Sequence, residues 1–339
     1  MFKSSPIVSL LTCLFVVMLA AGCNQNQQQV APTAPVQAQQ EGEAPDYTAI
    51  RKALKDPSPL VRSQAVLNLA EFKHSSVIDE YLQALQDNID DKDVYNLCIK
   101  GIKAQGESAI PKVKETLWNN KSLTLQKVGL DILSQIEKPE NFYADVVNRY
   151  YETPFESGAS RYRQAMVQYI ANNTAKDNLE AIADMVVMLK DKDSKIVQIV
   201  TKALSAFQSK DIQEQIVSVY ESDPDNQNVV LAVLTVLNSY GVPTEQNPVP
   251  VKDLKVYMST FGSYDKDIQK QSYIGMRAFA YDDKDGQIMN FLKSFQNCDY
   301  DVVRSNVVEL LQIVPKNTYP EGQEPMFSFP KGKRQGYCH

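Results

Sequence analysis

An all-α solenoid is the fold class that the sequence predicts, and three observations predict it. Apolar residues recur in one helical frame eight times; a second amphipathic segment precedes each of them; and only eight glycines fall between residues 46 and 314. The frame opens at Asp56-Pro57-Ser58-Pro59-Leu60-Val61, a turn followed by apolar residues at i, i+4, i+5 and i+8. With Val61 as anchor, the equivalent positions are Val94, Leu125, Tyr162, Ile196, Val229, Ile268 and Val303, at steps of 31 to 39 residues with a mean close to 35. Of the 32 residues at the four frame positions only Thr201 and Ser272 are polar. The second segments lie at 47–55, 76–88, 107–118, 139–152, 175–190, 209–222, 250–262 and 284–296. The unit is therefore a helical hairpin. One hairpin cannot bury its own apolar stripe, whereas a stack of about eight makes a continuous core.

The N-terminus reads as an address. Lys3 supplies a positive charge, and Ile7 to Ala21 is a run of 15 uncharged, mostly apolar residues, shorter than the 18 or more of a spanning helix. That pattern is a signal-peptide core. Leu19-Ala20-Ala21-Gly22-Cys23 follows, and it resembles the lipobox of bacterial lipoproteins, with Ala20 where Leu is commoner. The resemblance implies that residues 1–22 are removed and that Cys23 is lipidated and heads the mature chain. Two or more acyl chains anchor stably where one does not. Asn24 rather than Asp in the next position implies outer-membrane sorting in a Gram-negative host, with the protein facing the periplasm. The inner membrane and the cell surface remain alternatives.

Residues 23–45 then form a lipidated Cys and a disordered tether. Asn24 to Pro45 holds no aromatic, Lys or Arg and many Gln, Ala and Pro, so it has too little to bury. Its 22 residues have an r.m.s. reach of about 26 Å as a flexible coil.

The solenoid occupies residues 46–314. Asp56 through Val61, Arg62 and Ala65, a D-x-x-x-x-V-R-x-x-A pattern, is similar to the HEAT repeat, especially its short bacterial form, which phycobilin lyases also contain. The Arg recurs as Arg163 and Arg304, one residue after the anchor; Tyr95, Gln126, Val197, Val230 and Gln269 stand there elsewhere, so the Asp–Arg ladder of that family is expected to be broken. The resemblance implies a binding scaffold. A tetratricopeptide array has a similar period, but the single Trp118 cannot supply its pattern.

An Asp-x-Asp pair recurs before the helices at Asp91/Asp93, Asp191/Asp193, Asp223/Asp225, Asp265/Asp267 and Asp299/Asp301. Asp is a favoured N-cap, which explains the pairs as structure. An acidic ridge for a basic partner is the alternative. The loops lack the spacing of a calcium site. His74 reads as a surface residue, and no metal ligand set is expected. Cys98 fills a frame position, so a buried free thiol is expected there. Cys298 lies in the last interhelical turn, where a folded-back tail would bring Cys338 to it; a disulfide and two free thiols are both open. Residues 315–339 form a Pro-rich irregular tail, an extended or disordered end unless Met326, Phe327 and Phe329 dock on the last repeat or on a partner.

Composition narrows the function. The chain has 339 residues, a formal charge of −6 and two His. The acidic balance argues against nucleic acid as a partner, and the scarcity of His leaves little for acid/base or zinc chemistry. No Gly-rich phosphate loop, nucleophile elbow or C-x-x-C pair occurs. The reading is a membrane-anchored scaffold that binds a protein or peptide of the cell envelope, with no cofactor and no catalytic residue. The alternatives are a lyase-type enzyme on a HEAT-like frame and a spacer between membrane and cell wall.

Overall fold

The computed structural model describes residues 42–156, 158–175, 177–207, 210–240, 251–281, 286–315 and 337–338. The chain divides into two units, Met1–Ala44 and Pro45–His339. Of the first only residues 42–44 are described, so the signal segment, Cys23 and nearly all of the tether lie outside the described residues, as do Met326, Phe327 and Phe329.

The second unit is all-helical among its described residues, with eight successive hairpins. They pair α1 (Thr48–Ala53) with α2 (Pro59–Leu69), α3 (Val77–Asp87) with α4 (Lys92–Ala104), and α5 (Ile110–Val113) with α6 (Leu123–Ile136). Then follow α7 (Pro139–Glu152) with α8 (Ser160–Asn173), α9 (Leu179–Met188) with α10 (Ser194–Leu204), and α11 (Lys210–Ser222) with α12 (Gln227–Ser239). The last two are α13 (Val251–Thr260) with α14 (Lys266–Ala280), and α15 (Gln287–Ser294) with α16 (Asp301–Ile313). The frame residues all fall on even-numbered helices, and those helices pack in sequence from α2 to α16 without a break. In the odd-numbered layer, extensive packing between neighbours runs only from α3 to α5, α9 to α11 and α11 to α13. The solenoid is thus a continuous even layer with a more loosely joined odd layer.

Local chemistry sets the helix starts. Asp91, Asp193 and Asp265 cap α4, α10 and α14, each accepting backbone N–H groups of the first turn. Pro occupies the first turn of α2 and α7, where its missing N–H costs nothing. The third hairpin departs from the single helix expected over 107–118. Gly106, at φ +60°, begins a 3₁₀ turn through Ala109; α5 follows around Pro111; and Lys114–Trp118 is a π turn. The Asn119 N–H reaches back five residues to the Lys114 carbonyl at 2.9 Å. The wider turn lets Leu117 and Trp118, adjacent in sequence, both be buried.

The frame residues form the core: Ile99, Leu125, Thr201 and Tyr273 within the stack are half-buried, and the two exposed ones lie at its described ends. Val61, the anchor of the first repeat, is 39% exposed, and Val308, at i+5 in the last, is 59% exposed. Their equivalents Val94, Val303, Val66 and Leu234 are buried. The anchor therefore faces the preceding repeat and the i+5 residue the following one, so each loses its cover where the stack ends. In α16 Leu310 is buried beside Val303 and Val307, and Leu311, expected in the core, is half-buried.

Two glycines seat tyrosines of the facing layer. A Cβ on Gly101 of α4 would lie 2.3 Å from the Tyr81 ring of α3, and one on Gly275 of α14 would lie 2.1 Å from the Tyr257 ring of α13. Both stand seven residues after their anchors, and both rings are buried, so neither ring has room to withdraw. Substitution G101A or G275A is expected to destabilise the fold by about 1–3 kcal/mol through overpacking, despite the better helix propensity of Ala. Urea denaturation checks this, and shrinking the ring in Tyr81→Leu should recover part of the loss for G101A.

Candidate binding face and interrepeat rungs

The turns between repeats carry the residues that the sequence pattern singled out. Arg62 donates from Nη1 to the carbonyls of Asp56 and Pro57, at 2.7 and 3.0 Å, and from Nε to Asp91 of the next repeat at 3.0 Å. Arg163 repeats the arrangement: Nη1 reaches the Tyr150 and Thr153 carbonyls, and Nη2 pairs with Asp191. Its guanidinium also lies 4.3 Å from the centre of the Tyr150 ring, whose hydroxyl donates to the same Asp191. Arg304 donates to the Cys298 carbonyl and, with no further repeat among the described residues, pairs with Asp301 of its own helix. Gln126 lacks the charge yet keeps the first half of the role, its amide donating to the Asn120 carbonyl six residues back. The ladder therefore has two complete Arg–Asp rungs among the described residues.

The paired aspartates divide by task. Asp91 and Asp191 hold the two rungs, and Asp191 also accepts the Asp193 N–H. Asp223 accepts from the Asn226 side chain while Asn226 caps α12, and Asp299 accepts from the Tyr264 hydroxyl. Asp56, which opens the pattern, accepts the Ser58 N–H at 2.8 Å. Most of these carboxylates are thus committed to local partners, which weakens an acidic ridge as a docking feature. The Arg62 guanidinium holds Asp91 below the usual carboxylate range.

The solvent side of the even layer differs in character. Two and six residues after the eight anchors stand Ser63 and Leu67, Asn96 and Lys100, Lys127 and Asp131, Gln164 and Gln168, Gln198 and Lys202, Leu231 and Thr235, Lys270 and Ile274, and Ser305 and Glu309, so the face is mostly polar with Leu67, Leu231 and Ile274 as apolar interruptions. Lys103 pairs with Asp131 at 2.8 Å, and Arg277 with Glu309 at 3.9 Å. Lys100, Lys127, Lys202 and Lys270 are exposed and make no ion pair among the described residues. Between α8 and α10 this face dips into a groove of about 610 Å³, with Gln164, Gln168, Asn172, Lys195, Gln198 and Lys202 around a floor that includes Ala171, Ile199 and Ala203. Gln168 donates to Asn172 at 2.9 Å. The odd layer presents the opposite balance, with Glu107, Glu115, Glu140, Glu180 and Glu214 exposed. The sequence frame was sufficient to find this face, since its residues keep a fixed offset from the anchor; only the burial of the frame decides that they point outward.

The cysteines take two states. Cys98 is a buried free thiol, and burial pushes it up to about 12, which keeps it un-ionised and unreactive. Cys298 and Cys338 form a disulfide with their Cα atoms 5.6 Å apart. It docks residues 337–338 on the seventh hairpin, where the Cys338 N–H donates to the Gly262 carbonyl at 2.8 Å and Tyr337 makes an antiparallel bridge with Ser263. A Cβ on Gly262 would come within 3.0 Å of the Cys338 carbonyl, so this position needs its glycine. Asp299 lies beside the disulfide, but two oxidised sulfurs are poor metal ligands. His74 sits half-buried in the turn after α2, with Nδ1 2.7 Å from the Ser76 hydroxyl.

One buried group has no counterpart in the sequence reading. Asp253, on the inward face of α13, is 2% exposed, its Oδ1 has no hydrogen-bond partner among the described residues, and burial raises it to about 7. The sequence carries no clear signal for it, because a lone Asp in an amphipathic helix reads as a surface residue.

No protein-family model matches the chain, and no curated protein matches it. Three crystal structures, each of an engineered protein, align with it at 16%, 13% and 13% identity and TM-scores of 0.31, 0.35 and 0.31, covering 79–81% of this chain and 96%, 88% and 100% of theirs. No helix among the described residues is long and apolar enough to cross a membrane.

Two outcomes follow for stability. Removing one partner of a largely buried ion pair strands the other, so Asp191→Ala should cost about 3–5 kcal/mol, and the more accessible Asp91 should cost less. Because Asp91 is lowered, its contribution is complete above the ordinary carboxylate range and is lost as pH falls through its lowered value; Asp91→Asn should flatten that part of a stability–pH curve. Asp253 has the opposite sign. Its raised value makes folding less favourable as pH rises from the carboxylate range to about 7. Asp253→Asn should therefore raise the melting temperature at pH above that range by more than it does in acid, as measured by calorimetry across pH.

Proposed function

We propose that this chain is a lipid-anchored bacterial envelope protein with a HEAT-like solenoid that binds a protein or peptide partner without catalysis. The observation that carries the anchoring is Leu19-Ala20-Ala21-Gly22-Cys23, placed directly after a 15-residue apolar run and before a segment with no aromatic or basic residue. The binding role is supported by the unbroken even layer, which gives an extended surface of exposed polar side chains at repeating positions. The turn geometry supports the HEAT-like reading, since Arg62 and Arg163 each span from their own turn to an Asp of the next.

Under this reading the acyl chains hold the solenoid near the outer membrane on the periplasmic side, and the tether gives it reach. Anchoring raises the effective concentration of a partner confined to the same surface. An oxidising compartment also agrees with a Cys298–Cys338 disulfide.

Metabolic labelling with an alkyne fatty acid tests the anchor. The wild-type chain should incorporate label and partition with membranes; Cys23→Ala should do neither, and equal labelling of the two would exclude Cys23 as the lipid site. Crosslinking in cells, followed by purification from detergent-solubilised envelope, should recover a stoichiometric partner.

A further inference from the structure

We propose that the solvent face of the even-numbered helices binds an acidic polypeptide segment in extended conformation. The proposal rests on the scaffold reading and specifies the chemistry of its partner.

The first argument is charge. The chain carries a net −6, and the exposed side of its odd layer is acidic, yet Lys100, Lys127, Lys202 and Lys270 stand on the other side without ion-pair partners among the described residues. The acids on that face, Asp131 and Glu309, are already paired with Lys103 and Arg277. Charge therefore separates by layer, which leaves one face electropositive on an acidic protein. Such a field attracts and orients an anionic partner.

The second argument is spacing. Helices pack about 8–10 Å apart, so a ligand crossing the even layer meets a new helix at that interval. An extended chain advances about 3.3 Å per residue, so roughly every third residue would meet the next helix. A strand of duplex nucleic acid carries a phosphate about every 3.4 Å of axis, far denser than lysines that stand on α4, α6, α10 and α14. A polypeptide with a carboxylate about every third residue would meet the lysines of α4 and α6 with successive acids and those of α10 and α14 with every second one.

The third argument is the chemistry between the lysines. Gln164, Gln168, Asn172 and Gln198 line the α8–α10 groove beside Ala171, Ile199 and Ala203; a side-chain amide carries both donor and acceptor groups, though the Gln164 NH2 is already given to Ser160 and Asp193. The Gln168 amide donates to Asn172, which leaves the Gln168 carbonyl and the Asn172 NH2 with no partner among the described residues. Peptide groups present the same donor and acceptor pair, so these amides suit a polypeptide backbone while Lys195 and Lys202 at the groove's edge suit its carboxylates. Aromatic platforms for stacked bases, which single-stranded nucleic acids use, do not line this groove.

The test is fluorescence anisotropy with the lipidated full-length chain in zwitterionic detergent and a labelled peptide of repeated Ser-Ala-Glu. Saturable binding that weakens as sodium chloride is raised is expected, with none to the Ser-Ala-Gln peptide. Lys127→Glu and Lys202→Glu should each weaken binding about two- to fivefold, and Lys255→Glu on the odd layer should not. Lys→Gln at the same sites serves if a reversal unfolds the chain. Binding unaffected by either reversal, no binding of the acidic peptide, or tighter binding of a poly-dT oligonucleotide or of alginate than of the peptide would overturn the assignment. A cellular partner that copurifies equally with wild type and with the doubly reversed chain would also overturn it, while leaving the scaffold reading intact.

Discussion

Every described feature of the solenoid depends on the apolar seam between successive even-numbered helices. Val94, Cys98 and Ile102 of α4, Tyr162, Met166 and Ile170 of α8, and Val229, Val233 and Leu237 of α12 are all buried. A single hairpin has no second surface on which to bury such a stripe, so the neighbouring repeat supplies it. Stability then becomes a matter of nearest neighbours. The polar turns add specificity to that apolar attraction: a guanidinium or amide that hydrogen-bonds its own turn fixes the entry of the even helix, and where the residue is Arg62 or Arg163 the second half of the fork fixes the distance to the next repeat.

The same seam generates the candidate binding face. Because the frame residues point inward, the residues two and six places after each anchor point outward, and the regular stacking turns eight separate helices into one ruled surface. The lysines and amides on it are not drawn together by local interactions, as a catalytic cluster would be; they are aligned by the repeat. That arrangement suits many weak contacts to an extended ligand rather than one deep pocket, and the depression between α8 and α10 is lined by amides and lysines together with Ala171, Ile199 and Ala203.

Periodicity made most of the architecture legible in the sequence. The hairpin boundaries were readable because a 3.6-residue pattern interrupted by Asp, Asn and Pro is local information, and the eight segments expected before the frame helices all contain helical structure. What the pattern could not show was long-range. The exposure of Val61 and Val308 follows from their standing in the first and last described repeats, a position that no residue of the frame encodes. The π turn at Lys114–Trp118 lies in a segment whose apolar period reads as one plain helix. Asp253 was missed because a lone Asp within an amphipathic segment reads as surface until its neighbours are placed. The face itself lay in the fixed offsets from the anchor, but its charge emerged only once the aspartates of the turns were seen to be occupied by caps and rungs, and the exposed acids to fall on the other layer.

Hydrogen exchange of the full-length chain, followed by mass spectrometry under native conditions, examines the seam most directly. If neighbouring repeats supply one another's core, protection of the even helices should rise from α2 toward α8, which has a repeat on both sides, and reduction of the Cys298–Cys338 disulfide should loosen α14 and α16 while leaving α8 unchanged. Equal protection of α2 and α8, or exchange of every hairpin independently of its position in the stack, would contradict the account.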